Sequence, residues 1–308
     1  MSASRKITDL LFLLFLSLIA GSTFAGIKVA AQSFNAYEIT FLRSLVAFLA
    51  CLPFLFLRGG GWHRGMARCW PHILLIALVG ILLPFTLLNW AGGRIDSSTA
   101  GILWSTLPIF GIVLAHFLTT HDRLGPGKVA AVALGILAVW LISRHSLQAA
   151  GIAGVLPHLA VVAAALCYAV SGIVQRRLPP EVPAVFLTAA TMGISAMASY
   201  IAWPMTPATL MRTGDGLAAI LYLGVVTSAL LAYLRLLLIR RAGYALVSYT
   251  GFLVPICSVF IGVLLLDETL PPNAYLALGI AIAALAISQW RSRGSRPETA
   301  QAKADLTA

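Results

Sequence analysis

The chain has 308 residues, 60% of them hydrophobic and only 10% charged, with a formal net charge of +11 and a mean hydropathy of +0.93. Soluble domains carry about 25% charged residues, so this composition argues against a water-soluble protein and places most of the chain in lipid. Nor does the positive charge point to nucleic acid, which calls for one basic face. The basic residues fall instead in short segments between apolar runs, where the positive-inside rule puts them.

A helix needs about 20 apolar residues to cross the hydrocarbon core. On that basis the chain reads, in order, as ten spans: Leu10–Ala30, Tyr37–Leu57, Ile73–Ala91, Ser97–Thr119, Gly127–Ile142, Gly151–Val174, Val182–Trp203, Gly216–Ile239, Ala245–Leu266 and Asn273–Trp290. The first 25 residues imitate a secretory signal, with a basic start, an apolar run and small residues at its end. The length of that run favours a retained span. The fifth span is short and either lies with little tilt or extends past Ile142. The polar tail at residues 291–308 is expected to be disordered and cytoplasmic.

Charge tests the count. With the N-terminus in the cytoplasm and ten alternating spans, the inner segments hold fifteen basic residues, from Arg5 and Lys6 to Lys303, and the outer loops hold three, Arg94, Arg144 and Arg212. Lys28, Arg43 and Arg235 lie inside spans. That asymmetry puts both termini in the cytoplasm, and an error of one span would destroy it.

The spans divide into five plus five. Pro108 matches Pro255 at an offset of 147, Leu124 matches Leu270 at 146, Gly26-Ile27 matches Gly172-Ile173 at 146, and Gly135 matches Gly279 at 144. Each copy has an apolar span with a proline, a charged turn (His121-Asp122-Arg123-Leu124; Asp267-Glu268-Thr269-Leu270) and a closing span rich in small residues. Because five is odd, the second copy enters the membrane inverted, a plan that suits alternating access around a central site. The expected domains are residues 1–145, 146–290 and the tail 291–308. The expected fold is an all-α membrane protein of ten transmembrane helices, arranged as two inverted five-helix repeats.

"GSTFAGIKVA" in the first span, "EITFLRSLVAFL" in the second, the two proline-to-charged-turn segments and the Gly-rich closing spans together resemble the drug/metabolite transporter superfamily. Within it, the chain resembles the ten-span branch built from two EamA-type repeats. The resemblance covers Leu10 to Trp290, and amino-acid exporters of the YddG kind are the nearest match. It implies an inner-membrane carrier that exports metabolites, amino acids or drugs. Two positions depart from the family pattern: the first charged turn is His-Asp-Arg-Leu where a glutamate is frequent, and Tyr168 stands where a tryptophan is frequent.

The chemistry of the residues agrees with a carrier. The sequence contains no G-x-x-x-x-G-K-[ST], H-E-x-x-H or G-x-S-x-G pattern. The four cysteines (Cys51, Cys69, Cys167, Cys257) lack C-x-x-C spacing, and the six histidines are scattered. No metal, cofactor or catalytic residue is expected, and the chain is not expected to be an enzyme. The expected partners are a small-molecule substrate and the bilayer. Whether the carrier is a monomer or a homo-oligomer is open.

A pocket for a small organic solute is mostly apolar with a few placed polar groups. Phe85, Asn89, Trp104, Ser105, Tyr168, Ser171 and Tyr249 supply such groups within the spans, and the resemblance implies that their helices line the central cavity. Packing is the competing role for each. Charged residues inside spans are functional candidates by default, which selects Lys28, Glu38 and Arg43. Arg43 lies five residues past Glu38, roughly 7 Å along the helix, and a side chain at that depth can snorkel to the outer interface. Its counterpart in the second repeat is Thr188, so the charge is not duplicated. No carboxylate lies deep in a span, and Glu38, at an outer end, is the nearest. Transport is therefore expected to be facilitated diffusion or weakly coupled through Glu38. Pro108 and Pro255 are hinge candidates. A multidrug or cationic-compound exporter is the alternative, although a cation wants a counter-charge that the spans lack.

Overall fold

The structure is a computed structural model that describes residues 3–57, 68–118, 125–179, 181–203, 213–242, 244–247 and 249–290. The tail 291–308, the turn His121–Leu124 and several basic residues used for orientation, among them Arg58, Arg64 and Arg212, lie outside the described residues.

Helices α1 (Ala3–Ala30) and α2 (Ala36–Leu57) come first. A rod follows, made of α3 (Trp70–Leu75), a π-helical stretch at Ile76–Leu82 and α4 (Leu83–Gly92). Next are α5 (Ser97–Trp104), α6 (Leu107–Leu118), the long α7 (Pro126–Gln175) and α8 (Ala184–Ala202). A second rod repeats the pattern of the first, with α9 (Gly214–Gly224), a π-helical stretch at Val225–Leu230 and α10 (Leu231–Ala242). The short α11 (Tyr244–Val247), α12 (Thr250–Leu266) and α13 (Pro272–Trp290) close the chain. Among the described residues seven helices are long and apolar enough to cross a membrane, and two shorter apolar ones are Thr250–Leu266 and Pro272–Ser288.

Three of the expected spans differ in detail. Ser97–Thr119 is broken at Ser105 and Thr106. Pro108 has no N–H to offer the carbonyl four residues back. The carbonyls of Ile102 and Leu103 accept both the backbone N–H (3.1 Å each) and the hydroxyl of Ser105 (2.6 Å) and of Thr106 (2.8 Å), respectively, which closes the turn at the break. The fifth and sixth spans are two helical segments joined without a loop: the first continues past Ile142, and the second starts after a kink at Gly151, whose φ of 60° and ψ of −147° are not helical. Only glycine adopts that conformation without strain. A Cβ at Gly151 would meet nothing within 4 Å, so the demand is purely conformational. Gly151→Ala is therefore expected to cost about 1–3 kcal/mol. Gly172→Ala, in regular helix with equally open space, should be neutral or stabilising by up to about 1 kcal/mol. Thermal unfolding of the detergent-solubilised variants checks the contrast.

Small residues let the helices approach closely. Ala30, Ala91, Ala164, Ala274 and Ala277 are all buried in one core with Phe24, Ile27, Leu103, Val161 and Leu223. This core joins α1, α2, α4, α5, α7, α9, α12 and α13. The perimeter is the reverse. Phe56 is 82% exposed and Ile152 is 77% exposed, with Phe117 and Leu265 nearly as open. An apolar surface on this scale is unsuited to water and suits hydrocarbon.

Candidate functional site

Arg43 is 3% exposed. It does not extend to the interface as a snorkelling anchor would; it points into the bundle from α2, toward the π-helical stretch at Val225–Leu230. Its Nε donates to Ser228 Oγ (2.9 Å) and its Nη2 to Thr227 Oγ1 (3.2 Å). Both hydroxyls commit their own protons to the Leu223 carbonyl, at 2.8 Å from Ser228 and 3.0 Å from Thr227. Their oxygens are therefore left to accept from the guanidinium. The Ser228 bond spans five residues, matching the π turn, and π turns recur at functional sites. Gly224 makes this approach possible, since a Cβ there would meet the Arg43 carbonyl at 3.0 Å.

The Arg43 guanidinium carbon stands 3.9 Å above the centroid of the Phe85 ring, a cation–π contact. Tyr168 packs with Phe85 around Ala47, Ile81 and Met192. The Trp104 ring meets Tyr168 edge-on at 5.4 Å and Phe24 at 6.0 Å. Helices α1, α2, α4, α5 and α7 thus contribute one aromatic and cationic group. Arg43 Nη1 is buried and has no hydrogen-bond partner. Among the described residues no carboxylate pairs with Arg43.

Asn89 sits one helical turn beyond Phe85 on α4 and is 2% exposed. Its Nδ2 donates to Thr40 Oγ1 at 2.9 Å, and its Oδ1 has no partner. The other expected residues lie differently. Ser105 closes the break after Trp104. Ser171 fits against Gly80 in the first π-helical stretch and accepts from Gln175 Nε2 at 3.1 Å. Tyr249 belongs to a separate cluster with Leu13, Leu16, Leu238 and Val247, and its ring contacts Phe252. Pro108 opens α6 and Pro255 lies inside α12. The two helices meet near Pro108, whose Cγ is 3.3 Å from where a Cβ on Gly251 would stand.

Charges gather at both ends of α1. At one end Lys28 Nζ donates to Asp96 Oδ1 (2.6 Å) and to Glu268 Oε1 (3.0 Å). Asp267 adopts φ 50°, ψ 35° after α12, and the Glu268 N–H returns to the Gly262 carbonyl at 3.1 Å. Asp267 thus stands in the left-handed conformation where glycine is usual, and its own N–H also returns to the Gly262 carbonyl, a wide turn that ends the helix. The turn aims the Glu268 carboxylate at the first turn of α5. Oε1 accepts from Ser97 N (2.7 Å), and Oε2 accepts from Ser98 N (3.0 Å) and Ser98 Oγ (2.6 Å). A helix N-terminus presents free N–H groups and partial positive charge, which an anion satisfies. Burial pushes the Glu268 carboxyl up, but the Ser98, Ser97 and Lys28 bonds outweigh it and hold the group below the usual carboxylate range. At the other end of α1, Asp9 is buried and accepts from Arg241 Nε at 2.6 Å. The helix starts earlier than the expected span, and so it includes this acid.

Glu38 closes a capping box at the start of α2. Asn35 N donates to Glu38 Oε2, and Glu38 N to Asn35 Oδ1, both at 2.9 Å. Beside Lys28 and Asp96 opens a cleft of about 790 Å³, also lined by Arg94, His145, His158 and Asn273. Sequence reasoning left out Asp9, Asp96, Thr227, Ser228 and Glu268. The usable signals were Asp-Ser-Ser ahead of an apolar run for the α5 cap, and a Thr-Ser pair inside the eighth span.

A sequence model described as the EamA-like transporter family matches residues 7–144 and, a second time, residues 155–289. The chain belongs to the EamA-like transporter family. It is a membrane transporter and not an enzyme. A probable terminal-alkyne amino-acid exporter of Streptantibioticus cattleyicolor is 25% identical over 298 residues, spanning 95% of this chain and 97% of that protein. The uncharacterized inner membrane transporter YedA of Escherichia coli K12 is also 25% identical, over 295 residues, covering 92% and 91% of the two chains. One solved structure superposes with a TM-score of 0.67 at 17% identity, covering 95% of this chain and 99% of that one. At that identity the likeness shows the fold alone.

Proposed function

We propose that this EamA-family protein is a ten-span secondary carrier of the inner membrane that exports small organic metabolites, amino acids above all, by alternating access. The 50-residue α7 would be about 75 Å long if straight, against a hydrocarbon core of about 30 Å. Bent at Gly151, it crosses twice. Counting it twice, with the other long helices and the two shorter apolar ones, gives ten crossings. The two family matches, and a π-helical stretch in the third span of each half, support two repeats of five. An odd number per repeat makes them inverted, with both termini in the cytoplasm.

The observation that carries the reading is Arg43, a buried cation without a counter-charge, held between α2 of the first half and the second π-helical stretch of the other half. Taking a charge out of water costs several kcal/mol. A purely structural core gains nothing by retaining it, whereas a carrier gains a group that meets solute between its halves. Phe85, Tyr168 and Trp104 supply the apolar walls, Asn89 and Ser105 further polar groups, and Pro108 and Pro255 the bending points. Glu38, engaged in its capping box, leaves facilitated diffusion as the simpler energetics. The choice of amino acids rests on the exporter from Streptantibioticus.

Purified protein in liposomes should exchange a radiolabelled amino acid for the same amino acid inside, at a rate unchanged by collapsing the pH gradient. Movement of hydrophobic cations without any amino acid would favour the multidrug alternative and overturn this reading.

A further inference from the structure

We infer that Arg43 Nη1 and Asn89 Oδ1 are the two poles of a zwitterion site: the guanidinium takes the carboxylate of an α-amino acid, and the amide oxygen takes its ammonium. The inference rests on the amino-acid reading above and assigns the atoms that would enforce it.

Both atoms are buried and lack hydrogen-bond partners. Buried polar groups are nearly always paired, and each exception calls for an explanation. The direction of each is fixed by its neighbours. Thr40 Oγ1 donates to the Ala36 carbonyl at 2.7 Å, so it can only accept from Asn89. The amide must therefore present Nδ2 to Thr40 at 2.9 Å and leave Oδ1 free. The Thr86 hydroxyl, which bonds the Leu82 carbonyl at 2.8 Å, stands 3.3 Å from Thr40 Oγ1 and completes the hydroxyl pair beside the amide. On the other side, Ser228 and Thr227 occupy Nε and Nη2 of Arg43. One free donor bearing full positive charge and one free neutral acceptor remain.

The two groups share neighbours on α2 and α4. Phe85, beneath the guanidinium, and Asn89 are four residues apart on α4, about 6 Å along the helix. Thr40 and Arg43 are three apart on α2, about 4.5 Å. Both groups therefore address the same face of α4, Arg43 over Phe85 and Asn89 one turn along, and in the proposed complex the adjacent carboxylate and ammonium of an α-amino acid join them with one hydrogen bond at each end. A carboxylate alone would leave Oδ1 unpaired, and an amine alone would face an unneutralised guanidinium. Phe85, Tyr168 and Trp104 are left for the side chain.

The full chain in liposomes, assayed by exchange of each of the twenty proteinogenic L-amino acids, tests this. For the amino acid moved best, its decarboxylated amine and its deaminated acid should each compete at least ten-fold more weakly. Arg43→Gln should lose exchange at least ten-fold while its melting temperature stays level or rises, because an uncompensated buried charge has been removed. Asn89→Asp should gain competition by the amine. If wild-type protein moves no amino acid, this inference and the amino-acid reading both fall. If an amino acid is moved and Arg43→Gln moves it as well as wild type, or the amine or the acid competes equally, only the assignment of the poles falls.

Discussion

Replacing Glu268 by alanine is expected to lower stability by about 3 kcal/mol or more, because it breaks a buried charge pair and strips the α5 N-terminus of its acceptor. The side chain of Glu268 is 2% exposed. Its loss would leave Ser97 N, Ser98 N and Ser98 Oγ without the oxygens that now receive them. Glu268→Gln should lose less, since one amide oxygen can still accept from one serine. Lys28→Met should lose about 1 kcal/mol or less, because Lys28 is 27% exposed and its removal leaves the Glu268–serine bonds intact. The pH dependence has a definite sign. Glu268 is held below its ordinary value of about 4.3, so its contribution is complete above that value. It is lost only as the pH falls through the depressed folded-state value. Wild-type protein should keep its melting temperature from neutrality down to about pH 5 and lose it below about pH 4. The Glu268→Gln protein should begin lower and show a flatter acid limb. A melting temperature for Glu268→Ala equal to wild type at pH 7 would contradict the capping role.

Trp104→Ala should have the largest effect on transport without touching a charged group. The indole packs in edge-to-face fashion with both Tyr168 and Phe24. Such aromatic pairs contribute about 0.5–1.5 kcal/mol each beyond their buried area. Losing two of them should reduce exchange about ten-fold or more, since 1.4 kcal/mol is already a factor of ten. Truncation also leaves a cavity, so the melting temperature should fall. Trp104→Phe separates the two effects: it should restore most of the melting temperature while recovering exchange only in part. Equal exchange by Trp104→Ala and wild type for every accepted solute would remove Trp104 from the site.

Much of the helical content was legible because hydropathy decides it, and the described helices coincide closely with the expected apolar runs. What escaped the sequence shares a physical cause. The hydropathy pattern leaves the fifth span open to extending past Ile142, but the charge count puts Arg144 in an outer loop; the stretch from Ser143 to Ala150 contains no residue that breaks a helix, and the chain stays helical until Gly151. The π-helical stretches are invisible to hydropathy, since inserting one residue into a turn changes no composition. Arg43 was conspicuous, but its partners Thr227 and Ser228 lie 184 and 185 residues away. Only the packing of α2 against the second rod selects them, and that packing also turned the side chain inward. Glu268 read as one more charge in a turn, because the feature that gives it meaning is the open end of a helix from the other half. Local signals were stronger at Asn35 and Glu38, where the two capping partners are three residues apart.

The cap on α5 also sets an order of events in time. Glu268 lies 170 residues after Ser98. A ribosome adding about 5–20 residues per second delivers that carboxylate roughly 10 to 35 seconds after the helix it serves. During that interval α5 and Lys28 are already synthesised while the acceptor that joins them is not. The helices up to α5 are thus an unfinished body during synthesis, dependent on the turn between α12 and α13 to settle. A ribosome stalled before Glu268, or a chain cut there, should yield a product that cellular quality control removes, even though every residue of the first repeat is present.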